Sequence, residues 1–268
     1  MRTKIHSLRV LFYSFVALIS AAIAAHGEMS QGTAVVKSVA GSATYLDELG
    51  FSHPLTTGTV LKAGHTIKTG VDSYVDLFLD HNGPNVALDA NTTLRLEKLA
   101  YEQTSLGTKI DTLLDLKSGM MAGQVKKLIA ASRYEVKMPN GVAHVRGTTF
   151  YINIKQDSKE GDVHVTSGTV NVTITVNAPS NAPGQTVFTK TVTVAAGQSL
   201  FIPKDFVDNA DFQAQLVAVT TPPGTDLTKF QRFDRAGTFA TVSESIDGKK
   251  EGGKIKLKPP PTSVVVSP

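Results

Sequence analysis

The chain has 268 residues, 41% of them hydrophobic, 19% charged and 7% aromatic, and it contains no cysteine. That is apolar material for one good core, and it excludes a collagen, a coiled coil and a wholly disordered polymer. The lack of cysteine excludes disulfides, thiolate metal sites, a cysteine nucleophile and a lipid-anchored lipoprotein cysteine. Of the net charge of +4, residues 1–25 carry +3 and residues 249–258 carry +4, which leaves −3 on the rest. A body of that sign does not form a nucleic-acid groove. Val and Thr together supply 58 residues, and both are β-branched, so the composition favours an all-β fold.

The first 25 residues read as an export signal. Arg2, Lys4 and Arg9 form a positive start, Val10 to Ala25 is uncharged and mostly apolar, and Ala22-Ile23-Ala24 fits a small-residue cleavage site. An uncleaved anchor is the competing reading, but the run falls short of the roughly 20 apolar residues that a spanning helix needs. No second apolar run follows, so after cleavage the protein is expected to cross no membrane and to be periplasmic or secreted.

Short strand-like segments then follow one another. Thr33–Val39 and Ser42–Leu46 are separated by Ala40-Gly41. Ser73–Leu79 alternates, with Val75, Leu77 and Leu79 on one face, and Asn82-Gly83 marks a turn. Thr92–Leu96 alternates again. Residues 97–108 are polar enough to be a loop or a helical turn. Ile110, Thr112, Leu114 and Leu116 share one face of the next strand, and Val125–Ser132 fits a strand or a short helix equally well. Tyr134–Met138 stops at Pro139, and Thr148–Ile154 and Val163–Val176 continue the β pattern. The polar, Pro-rich stretch 177–185 is a loop, so 170–176 and 186–194 are expected to pair as a long hairpin. A loose motif recurs at Leu61-Lys-Ala-Gly64, Leu116-Lys-Ser-Gly119, Val165-Thr-Ser-Gly168 and Val194-Ala-Ala-Gly197. Glycine in fourth place can take positive φ and bend the chain between short strands. The expected core includes Val75, Leu77, Leu79, Leu114, Leu116, Phe150 and Ile152. Beyond Pro203, residues 204–245 are expected to hold short helical elements packed on the β body, and 246–268 a disordered Lys/Pro-rich tail.

The order of these segments resembles the FecR domain family. Gly32-Thr-Ala-Val-Val with Val39-Ala-Gly41 is similar to its opening strands, and Leu61-Lys-Ala-Gly-His-Thr-Ile-Lys-Thr-Gly70 to its "L-x-x-G-x-x-I-x-T" stretch. Val142-Ala-His-Val-Arg-Gly-Thr-Thr-Phe150 matches the hallmark "V-x-G-T-x-F", and Val163–Val172 and Val194-Ala-Ala-Gly-Gln198 resemble the closing segments. The resemblance covers residues 32–203 and implies a single sandwich or roll of short strands, solenoid-like, without catalytic residues or cofactor. Known members join this exported domain to an anti-sigma region. Only nine residues precede the apolar segment here, so sigma regulation is not carried over.

Within the hallmark, Arg146 is the candidate partner contact, and Val145, Gly147, Thr148 and Phe150 read as structural. The histidines show no ligand spacing, Asp80-His81-Asn82-Gly83 lacks the calcium-loop pattern, and no G-x-S-x-G, P-loop or G-x-G-x-x-G occurs. The lysines of 249–258 suit either an anionic surface or a solubilising linker. The sequence therefore points to a non-enzymatic protein-binding or sensing module of the bacterial envelope. A structural protein of the envelope or extracellular matrix is the alternative, and a polymer-acting hydrolase the third reading.

Overall fold

The computed structural model describes residues 29–83, 85–177, 187–203 and 219–220. The expected export signal, the expected tail and nearly all of 204–245 lie outside the described residues. In chain order the strands are β1 (Ser30–Gln31), β2 (Ala34–Ala40), β3 (Ala43–Leu46), β4 (Ser52–Pro54), β5 (Val60–Leu61), β6 (Thr66–Thr69), β7 (Tyr74–Phe78) and β8 (Asn85–Leu88). A 3-10 turn at Asp80–Asn82 joins β7 to β8. The long pair β9 (Thr93–Thr104) and β10 (Gly107–Gln124) follows. The second half consists of β11 (Arg133–Met138), β12 (Gly141–Val145), β13 (Thr149–Ile154), β14 (Gly161–Ser167), β15 (Thr169–Asn177), β16 (Val187–Ala195), β17 (Gln198–Ile202) and β18 (Val219–Thr220).

Two sheets share β10. The first runs β4-β3-β6-β9-β10-β11-β12-β15-β16, with β1 beside the upper part of β9. The second runs β5-β2-β7-β8-β10-β13-β14-β17-β18. Residues 107–118 of β10 pair with β9 in the first sheet, and residues 119–124 pair with β8 and β13 in the second. All pairings are antiparallel except β10–β11. The whole curls around one core to which both sheets contribute. All seven expected core residues are buried in it. Each large aliphatic side chain removed from water there contributes about 1.5–3 kcal/mol.

The recurring motif marks the corners. Gly64 lies between β5 and β6, Gly119 inside β10, Gly168 between β14 and β15, and Gly197 between β16 and β17; all four have positive φ. Each stands where the chain leaves one sheet for the other. Gly119 shows why a side chain is excluded: φ is +85°, and a Cβ would lie 2.4 Å from Thr92 Cα. The expected hairpin across 177–185 is present, with Val170 opposite Val194 and Val172 opposite Val192.

Three expectations need correction. Residues 97–108 are neither loop nor helix; they extend β9 and open β10 around a turn at Ser105–Leu106. This end of the pair is polar because cross-strand ion pairs, Lys98 with Asp111 and Lys109 with Glu102, replace apolar contacts there. Val125–Ser132 is neither strand nor helix but an irregular connection. Val219 and Thr220, where a helical element was expected, form β18 on the edge of β17.

Candidate ligand cleft

The end of β10 and the β12–β13 corner build a cleft of about 880 Å³. Its walls are residues 124–127 and 146–149, with Phe78, Asn85 and Ser167. The corner holds its shape through the backbone: Val125 N–H donates to the Thr148 carbonyl at 2.9 Å. Thr149 N–H donates to Ser167 Oγ at 3.2 Å, and Arg146 Nη2 donates to the Leu128 carbonyl at 3.4 Å. Gly168, at φ +78°, would place a Cβ 2.4 Å from the Gly147 carbonyl oxygen, so two chain crossings touch here.

The structure brings the hallmark residues together in this corner. Val145, Thr148 and Phe150 point into the protein and are buried, and Gly147 has φ +66° against the backbone of Lys127. The Phe150 ring lies over Gly123 of β10; a Cβ on Gly123 would come within 2.4 Å of it. Arg146 is exposed on the cleft wall.

Three lining residues carry positive charge, namely Lys126, Lys127 and Arg146, and none carries negative charge. Among the described residues none of the three is in an ion pair, whereas Lys98, Lys109, Lys117, Arg133, Lys137 and Lys155 each lie within 4 Å of a carboxylate. Lys37 adds a fourth cation nearby, with Nζ 4.9 Å from the ring centre of Phe78. At the base of the cleft, Asn85 Nδ2 donates to Gln124 Oε1 at 3.3 Å. The other end of that amide, Gln124 Nε2, is buried with no hydrogen-bond partner. Sequence reading found Arg146 through its motif but missed Gln124, Lys126 and Lys127. The available signal was the adjacent lysine pair in an otherwise acidic body.

Elsewhere, His164 Nδ1 lies 2.8 Å from Ser199 Oγ on neighbouring strands β14 and β17. Burial lowers the pKa of His164. Asp162, two residues earlier, is raised, chiefly by burial. Among the described residues no group of three or more His, Asp or Glu side chains is placed to hold a metal ion, and no helix is long and apolar enough to cross a membrane.

The family model described as "FecR protein" matches residues 65–171. That stretch of the chain is similar to a FecR domain. The FecR match runs from the turn before β6 into β15, so every residue lining the cleft lies within it. Two crystal structures described as a "putative anti-sigma factor" from Parabacteroides distasonis ATCC 8503 are similar, each at 16% identity and a TM-score of 0.42. One alignment covers 63% of this chain and 63% of that one, the other 62% and 64%. The chain therefore spans less than two thirds of those proteins' length. No curated protein matches it.

Proposed function

We propose that this protein is exported and that its FecR domain is a non-enzymatic protein-binding or sensing module of the bacterial cell envelope. On this reading residues 1–25 are removed, residues 32–203 form the binding domain, and 204–245 and 246–268 are an appendage and a tail. One observation carries the reading: the family hallmark builds a cleft whose three cations have no ion pair among the described residues. An enzyme site needs a nucleophile or a general acid and base converging on one point. The cleft lining offers cations, amides and hydroxyls without a histidine or carboxylate beside them, a set suited to recognition.

The test is affinity capture from envelope extracts with the mature protein as bait, followed by mass spectrometry. A specific protein recovered in stoichiometric amount, and weakened by Arg146→Ala in a normally folded bait, is the expected result. Saturable hydrolysis of an envelope glycan, abolished by one Asp or Glu substitution, would refute the reading.

A further inference from the structure

We infer that the cleft at the end of β10 seats a carboxylate-bearing segment of a protein partner, with Gln124 Nε2 as the buried donor and Lys126, Lys127 and Arg146 as the cationic wall; this rests on the domain being a protein-binding module.

The buried donor comes first. Gln124 is 8% exposed, and its Nε2 has no partner. Because Asn85 donates to Gln124 Oε1, the free end of the amide is the N–H end, which calls for an acceptor. A buried donor without an acceptor is costly, and a bound oxygen removes that cost.

Charge selects the kind of acceptor. The protein without its two termini has a net charge of −3, yet three cations meet here with no acid among the lining residues. An anion is drawn to such a site and a neutral polar group gains far less. Ammonium and guanidinium groups both make charge-assisted hydrogen bonds to a carboxylate.

Size and lining select the source. A volume of about 880 Å³ is far larger than a single ion and suits several residues of chain. Phe78 and Val125 give part of the lining an apolar surface, which a peptide side chain can cover and a free ion cannot. Lys126 and Lys127 line the cleft outside any strand, so their backbone stands next to an incoming chain. A phosphoryl headgroup uses the cations but neither the apolar lining nor this backbone.

The experiment is a fluorescence-anisotropy titration of the mature protein with a labelled peptide of alternating Asp and Val, both ends blocked. The same peptide with Asn for Asp serves as the reference. Saturable, salt-sensitive binding of the acidic peptide alone is expected. Lys126→Gln with Lys127→Gln, on exposed positions that leave the fold intact, should weaken it by about tenfold or more. Gln124→Leu, with folding checked by circular dichroism, should weaken it by several-fold while changing the salt dependence little. Equal affinity for both peptides, or no effect of the lysine pair, overturns the inference. So does binding of inorganic phosphate or phosphatidylglycerol vesicles that the acidic peptide does not displace. Capture of an envelope protein untouched by the lysine substitutions leaves the module reading standing and sinks this one.

Discussion

Replacing Gly119 by Ala tests the corner architecture directly. At φ +85° an L-residue is strained by about 1–2 kcal/mol. The added methyl would also lie 2.4 Å from both Thr92 Cα and Thr92 Oγ1, and 2.7 Å from the Asn91 carbonyl oxygen. Two of those three neighbours are backbone atoms, so no side-chain rotation relieves the overlap, and overpacking of this kind costs about 1–3 kcal/mol. Thr92 Oγ1 accepts from Met120 N–H at 3.0 Å, and pushing it aside removes about 1 kcal/mol more. The total is about 3–6 kcal/mol. Gly197→Ala is the matched control: φ is +76°, but nothing lies within 4 Å of the new methyl, so only the strain of about 1–2 kcal/mol remains. The entropy that Ala removes from the unfolded chain is common to both and cancels. Urea unfolding followed by far-ultraviolet circular dichroism measures the difference. A loss for Gly119→Ala exceeding that for Gly197→Ala by about 2 kcal/mol is expected. Equal losses would show that Thr92 yields freely and that β10 is not pinned at this point.

Further outcomes are expected. Phe150→Ala removes a fully buried ring and should cost about 3–5 kcal/mol. Because the ring lies over Gly123, Gly123→Ala should destabilise the native protein but do far less harm in the Phe150→Ala background, a coupling that a double-mutant cycle on melting curves measures. His164 is held below its ordinary value by burial, so its contribution to stability is complete above about pH 6.5 and is lost as pH falls through the lower folded value. The melting temperature should accordingly drop from pH 7.5 towards pH 5, with a shallower slope in His164→Gln; identical slopes would place the titration elsewhere. Intact mass of the secreted protein should lack the residues up to Ala24 or just beyond; a full-length mass in the inner membrane would mean an anchor.

Sequence patterns revealed inward and outward faces well, because alternation in Val75–Leu79 and Ile110–Leu116 follows directly from the pleat. They also revealed the corners, since only glycine tolerates the φ those bends require. Alternation says nothing about which sheet a face belongs to, and that is why the sharing of β10 was not legible. Residues 97–104 were missed because their strand is held by charges paired across it, and such a segment reads as loop in any periodicity count. Arg146 was legible as part of a motif. Gln124 was not, because the unmet hydrogen bond of one buried amide arises only when β8, β10 and β13 are side by side.

The sharing of β10 has a mechanical consequence. The cleft begins at the last residue of this strand, and β10 is hydrogen-bonded along its length to β8, β9, β11 and β13. Ladder bonds lie across the strand, so tension applied along β10 from a ligand in the cleft loads many of them together in shear and does not open them one by one. A pull on the bound partner is therefore spread over both sheets at once, and the domain meets traction from that direction as a rigid anchor point.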